Sequence, residues 1–500
     1  GYRLEASTTA NFTGIILSSS ASGVALSTLT VSSLGPNTTY FFRIATLNWN
    51  NLPNYASAGS TSTLANPVTI ISPAFLGVFS SSITARWAAL PLSPSSSTSE
   101  GYLLEASSTN FNGTGTILSS STPNVALSTL TVSGLLANTT YFFRVGSLNW
   151  NSVANYLSLG STSTLANVPG SVSFSSVFVS SASLTWTAPS GAAEGYQLQA
   201  SSTNFNGTGS VLSSTTANGS LTALTVSGLL ANTTYFFRVG SLNWNNAVNY
   251  AAAITTSTLA DLVVSPSIQN IFLSSAALTW SIPSGGAEGY EIQASSTNFN
   301  GTGTVLSSST TNGNLTVLTV SGLSVNTSYF FRTGSLNWNS VLNFTASGSS
   351  STLANVPASP AFGGVFVSSV TANWGVPAGG AEGYQLHAST ASEFTGTILS
   401  SSTSDGNATS LTVVSLQSDT TYYFRVGSLN WDGVANFTTV GSTKTLVSVD
   451  TTAPNPVTDL SASTDTATTA LLRWSAPLDH TNNPLDGTYA IQYDTWTGVA

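Results

Sequence analysis

Four glutamates recur in front of a Gly-Tyr pair, at Glu100, Glu194, Glu288 and Glu382. A carboxylate held at one place in successive repeats is the first feature of this chain that invites a chemical reading. Hydrolysis of a glycosidic bond needs two such groups facing each other, and each repeat offers one Glu without a constant partner. Imidazole occurs only at His387 and His480, and there is no cysteine. A serine nucleophile therefore has no recurring base, and a zinc site has no His/Cys cluster to form it. The inventory points to no catalytic residue, no cofactor and no metal, and the glutamates read as caps of turns.

The other recurring candidates are aromatic. An Asn-Trp pair ends in Trp49, Trp150, Trp244, Trp338 and Trp431. An indole beside an amide suits stacking on a sugar ring, and copies of a weak site gain avidity. The alternative is that each Trp covers the end of its own core or a neighbouring domain, and one motif copied into every repeat favours that joint-building role. On this reading Trp244 lies against the segment from Asp261 to Pro266 or against its own closing strand. Thirteen Asn-x-Ser/Thr sequons also occur, among them Asn37, Asn138, Asn232 and Asn326. In a chain this rich in Asn, Ser and Thr, chance produces about that many, and glycosylation requires the secretory route as well.

The elements that position these residues are strands. Each Trp stands nine residues after a Tyr, at Tyr40, Tyr141, Tyr235, Tyr329 and Tyr422. Between them the residues alternate, so that Tyr235, Phe237 and Val239 share one face while Phe236 and Arg238 share the other. Arg43, Arg144, Arg238, Arg332 and Arg425 all fall on the outward face. Glu5 and Glu105 on a neighbouring strand are placed to pair with Arg43 and Arg144, exposed contacts of about 0–1 kcal/mol. Leu224, Val226 and Leu229 form a second alternating run, joined to the first through the polar corner Ala231-Asn232-Thr233.

The spacing Leu-x-x-x-Thr-x-Tyr, with Pro36 at the third place in Leu34-Gly-Pro-Asn-Thr-Thr-Tyr40, resembles the corner before strand F of fibronectin type III domains. The other copies carry Ala137, Ala231, Val325 and Ser418 in place of the Pro. A Trp followed closely by Pro, as in Trp186-Thr-Ala-Pro189 and Trp280-Ser-Ile-Pro283, resembles strand B of the same family. The resemblance implies an all-β chain of tandem seven-stranded, immunoglobulin-like sandwiches. It also implies a tyrosine corner, in which the ring packs in the core and the hydroxyl bonds back to the backbone. The core tryptophans are then Trp87, Trp186, Trp280, Trp374 and Trp474, and the Asn-Trp segments fall in the loop between strands F and G.

Tyr2, Tyr102, Tyr196, Tyr290 and Tyr384 are spaced by 100, 94, 94 and 94 residues, about the length of one such sandwich. The chain divides into six units: a partial one at 1–65, full ones at 66–166, 167–260, 261–354 and 355–447, and a linker with a partial, divergent one at 448–500. The two end segments read as parts of sandwiches in a longer array, with head-to-tail complementation of the halves as the alternative. Joints such as Thr164-Leu-Ala-Asn-Val-Pro169 carry no Gly/Ser tether and predict a semi-rigid rod of about 30 Å per unit.

Charged residues make up 5% of the chain and the net charge is −9. No basic patch exists to hold phosphates, so nucleic acid is excluded as a partner. No run of about 20 apolar residues spells a membrane span. One Lys serves 500 residues, although Lys is the usual guard of open sheet edges. These features predict a structural, extracellular or cell-surface repeat protein that associates with copies of itself through Ser/Thr/Asn-rich faces. The competing expectation is a polysaccharide-binding or spacer array of a larger secreted enzyme.

Overall fold

The computed structural model describes residues 1–449, 451–478 and 490–492. The units are numbered 1 to 6 in chain order. Unit 3 shows the pattern, with strands Gly170–Val177, Ser181–Thr187, Gly195–Ser201, Val211–Thr216, Ala223–Ser227 and Thr234–Leu242, and a seventh in two pieces, Val248–Tyr250 and Ile254–Ser257. The first, second and fifth strands form one antiparallel sheet. The fourth, third, sixth and seventh form the other. Every strand alternates, so each sheet turns one apolar face inward. Trp186, Leu184 and Val226 from the first sheet meet Tyr196, Leu198, Tyr235, Phe237 and Val239 from the second in one closed core.

Units 2, 4 and 5 repeat this arrangement, and unit 1 has the second sheet alone. In units 1, 2, 4 and 5 the seventh strand carries a bulge opposite the sixth, between Phe143 and Arg144 in unit 2. The bulge is made by a glycine at positive φ, Gly160 at 92°, a conformation that costs a residue with a Cβ. Unit 3 has Ile254 at that place, and there the strand breaks at Ala251–Ala253 instead of bulging.

Unit 6 is described only in part, as a two-stranded sheet of Ser461–Thr466 and Thr469–Arg473. Trp474 follows that sheet and is half-buried. His480 and the ends of the expected strand at Tyr489 and Tyr493 lie outside the described residues. No helix of the described chain is long and apolar enough to cross a membrane.

Candidate functional site

The feature that recurs with the same atoms in every full unit is the joint with its predecessor, and it is built from the corner upward. Tyr235 is buried, and its Oη accepts from the Leu230 N–H at 3.0 Å. The same bond is made to Tyr40, Tyr141, Tyr329 and Tyr422 at 2.9–3.0 Å. Thr233 Oγ1 donates to the Ala231 carbonyl at 2.8 Å, and Thr258 Oγ1, just past the last strand, to the Leu230 carbonyl at 2.7 Å. The corner so tied holds Asn232 at φ 46°, a left-handed conformation that Asn tolerates better than most residues. Its Nδ2 then points out of unit 3 and donates to Glu288 Oε1 of unit 4 at 3.1 Å.

Asn37, Asn138 and Asn326 do the same to Glu100, Glu194 and Glu382 at 3.0–3.2 Å. The recurring glutamates are therefore acceptors for the preceding unit, which corrects their reading as turn caps. The third place of the corner, occupied by Pro in one copy, also belongs to the joint. The turn after the second strand of the next unit sits on it, so that a Cβ added to Gly285 (φ +79°) would come 3.4 Å from the Ala231 Cβ. Where Pro36 stands, unit 2 answers with a longer Pro/Ser-rich loop, and Asn37 Nδ2 also donates to the Ser95 carbonyl at 3.3 Å.

The Asn of each Asn-Trp pair supplies the other half. Asn243 is 1% exposed. Its Oδ1 accepts from the Asn245 and Ala247 N–H groups at 3.0 and 2.8 Å, which folds the loop. Its Nδ2 donates to the carbonyls of Ser163 and Thr164 in unit 2 at 3.1 and 3.0 Å. The Ser163 N–H returns a bond to Asn245 Oδ1 at 2.8 Å, and Asn249 Nδ2 donates to the Ala166 carbonyl at 2.8 Å. Asn149, Asn337 and Asn430 repeat the set on Ser62–Thr63, Ser257–Thr258 and Ser351–Thr352. In unit 5 Asp432 replaces the second Asn and accepts from the Ser351 N–H at 2.8 Å.

These loops dock on the preceding unit, not on the following segment Asp261–Pro266 or on their own closing strand, and the expectation for Trp244 is corrected accordingly. The reason is direction. The sixth strand starts at the tyrosine corner, at the pole that meets the next unit, so the loop after it lies at the opposite pole. The indoles themselves are only partly covered: Trp150, Trp244, Trp338 and Trp431 are 59–63% exposed, while Trp49, with no unit against it, is 103% exposed. Trp431 Nε1 donates to the Asn326 carbonyl of unit 4 at 3.1 Å.

Trp87, Trp186, Trp280 and Trp374 are buried and pack, tilted by 47–59°, at 5.0–5.3 Å from Tyr102, Tyr196, Tyr290 and Tyr384 of the facing sheet. On the outer face, Glu5 and Glu105 pair with Arg43 and Arg144 at 2.8 and 2.7 Å. These pairs are not the exposed contacts the alternation implies. Arg144 lies between the rings of Phe111 and Tyr156, 4.1 and 3.9 Å from their centroids, and every unit from 1 to 5 repeats the sandwich. The Phe comes from the loop after the third strand at positive φ, a strained state for a bulky residue that the ring's contact with the guanidinium offsets. In units 3 and 4 the acceptor is Gln199 or Gln293. In unit 5 it is His387, whose Nδ1 lies 3.2 Å from Arg425 Nε; burial, and then the Arg425 charge, hold its pKa below the ordinary 6.5. Among the described residues no three His, Cys, Asp or Glu come together as metal ligands.

The family model described as Fibronectin type III domain matches residues 167–256, which is unit 3. Two similar solved structures come from chicken. A two-domain fibronectin type III segment of tenascin is 18% identical with a TM-score of 0.26, over 37% of this chain and 100% of that one. The FN1–FN3 domains of CNTN1 are 17% identical with a TM-score of 0.22, over 55% of this chain and 99% of that one. No curated protein sequence matches this one. With the family match, the sheet order and the repeated core together, the chain is a tandem array of fibronectin type III-like β-sandwiches.

Proposed function

We propose that this chain is a stretch of shaft in a structural, non-catalytic protein outside the cell or on its surface, stiffened at every joint and associating side by side or end to end with copies of itself. Fibronectin type III domains are common in extracellular and cell-surface proteins, and such repeats are in general non-enzymatic. The observation that carries the reading is the joint: four times over, buried Asn side chains of one unit are bonded to the backbone of the unit before it. A chain built to swing freely would not bury amides at each boundary, since opening a joint exchanges these bonds for bonds to water at a net cost of about 0.5–1.5 kcal/mol each.

Self-association is supported by what the outer faces carry. The first sheet presents cross-strand hydroxyl pairs, Thr84–Thr131, Ser183–Thr225 and Thr371–Thr412, at 2.7–2.8 Å. With few charges to repel a second copy, such faces suit packing with little dependence on salt. Sedimentation of the 500-residue chain at micromolar concentration across salt tests this part, and a non-associating monomer throughout overturns it. Small-angle scattering tests the other part: a maximum dimension near 150 Å, with little spread, is expected from five units of about 30 Å, and a broad distribution of shorter lengths refutes the stiff shaft. The part-exposed indole row keeps a second reading in view, weak repeated binding of polysaccharide, for which quenching of Trp fluorescence on titration with polysaccharides is the measurement.

A further inference from the structure

The acceptor atom of an N-linked sugar is the Nδ2 of an Asn in Asn-x-Ser/Thr, and the fold divides the sequons by what that atom does. In Asn37, Asn138, Asn232 and Asn326 it donates to a glutamate across a joint. In Asn343 and Asn436 it donates to the Ala260 and Ala354 carbonyls of the preceding unit at 2.8 and 2.9 Å. Structure alone accounts for the corner sequons: the Asn takes the left-handed backbone, the next residue ties the corner and Thr234 Oγ1 meets Ser257 Oγ at 2.7 Å.

The loop after the third strand is different. Asn112, Asn206 and Asn300 are exposed, one in each of units 2 to 4, and Asn11 stands near the same place in unit 1. In each, the Oδ1 accepts from both the N–H and, at 2.6 Å, the Oγ1 of the Thr two residues on. The amide is thereby held with its oxygen engaged by the sequon's own Thr, while its Nδ2 donates to nothing among the described residues. The loop is held a residue away by Phe111, Phe205 or Phe299 on its Arg.

We propose that the chain is an acceptor of N-linked sugar at these exposed loops, regularly spaced along units 1 to 4, and that each joint shields its own sequons from the same chemistry. In the transfer, Asn Nδ2 attacks C1 of a diphosphate-activated sugar. The N–C1 bond forms, the bond from C1 to the diphosphate oxygen breaks with its electron pair leaving on the diphosphate, and one Nδ2 proton passes to a base of the transferase. Nothing is oxidised or reduced. A sugar on Asn232 would occupy the space of the next unit, and one on Asn343 that of the preceding unit, so modification there and a closed joint exclude each other.

The test uses the folded 500-residue chain, a soluble sequon-specific N-glycosyltransferase and UDP-glucose, with sites mapped by peptide mass spectrometry. A synthetic peptide spanning residues 226–240 is the control that the enzyme recognises the Asn232 sequon when no joint covers it. Hexose is expected on Asn112, Asn206 and Asn300, at rates at least about tenfold above those at Asn138, Asn232 and Asn326, each tenfold standing for about 1.4 kcal/mol of joint opening. Equal rates at loop and joint sites, with the peptide modified, overturn the shielding. Absence of transfer to all three loop sites, with the peptide modified, overturns the acceptor assignment. In the Asn243→Asp variant, which weakens only the joint between units 2 and 3, the rate at Asn138 is expected to rise while that at Asn232 does not. A uniform rise would show general unfolding and refute the joint as the shield.

Discussion

Asn243→Asp separates the joint from the loop that carries it. The substituted carboxylate keeps an oxygen for the Asn245 and Ala247 N–H groups, so the loop holds its shape. It loses both bonds to the Ser163 and Thr164 carbonyls and sets an acceptor against two acceptors in a site that is 1% exposed. Two hydrogen bonds of about 0.5–1.5 kcal/mol each are removed, so the joint loses about 2 kcal/mol before any repulsion. The Ser163 amide reports this directly, because its hydrogen is bonded across the joint to Asn245 Oδ1. Hydrogen exchange at Ser163 should then quicken about 30-fold, at 1.4 kcal/mol per tenfold. The equivalent amides of Ser62, Ser257 and Ser351, bonded to Asn151, Asn339 and Asp432, should stay unchanged as controls in the same chain. The effect should shrink in acid, since burial raises the pKa of the new carboxyl above that in the unfolded chain. Its destabilisation is therefore full at neutral pH and relieved as the pH falls and the acid regains a donor. Unchanged exchange at Ser163 would refute the assignment of the joint to Asn243.

Tyr235→Phe leaves the Leu230 N–H without its acceptor and should cost about 1 kcal/mol or somewhat more in unfolding free energy, whereas Trp186→Ala should cost about 3–5 kcal/mol; equal tolerance in denaturant titration would refute the sandwich core. Glu105→Gln should be neutral within about 0.5 kcal/mol, since Gln199 and Gln293 hold the same Arg in units 3 and 4. Glu105→Ala should cost about 1–3 kcal/mol, and a loss on Glu105→Gln as large as on the Ala change would show that charge, not the hydrogen bond, matters. For His387 the folded pKa lies below the unfolded one, so the unfolded chain takes up its proton first. Unit 5 is then most stable above the ordinary value of 6.5 and loses stability as the pH falls through the folded value. His387→Gln should remove that acid dependence in melting curves between about pH 8 and about pH 5, and identical acid dependence of both proteins would exclude His387 as its source.

Much of the architecture is legible in local spacing. Alternation in the Tyr235 strand places Tyr235, Phe237 and Val239 in the core, because a strand's side chains have a period of two whatever surrounds them. The broken seventh strand of unit 3 is also local, since it follows from Ile254 standing where the other units have Gly. The joint has a signal too: Asn138, Asn232 and Asn326 each precede a Glu by 56 residues and Asn37 by 63, while Asp419 precedes a unit with Asp486 before its Gly. Composition hides that signal, because Asn is common here and a lone Glu reads equally well as a cap.

Three matters were decided only by the tertiary structure. The pole at which the Asn-Trp loop lies depends on the path of the whole sandwich. The partial burial of Glu105 and Arg144 depends on Phe111 and Tyr156 folding over them from a loop and another strand. The state of each sequon depends on whether a second unit reaches its Nδ2. Sequence sets which atoms can donate and accept; which of them are covered is a property of surfaces brought together from distant parts of the chain, and spacing along one strand carries no record of it.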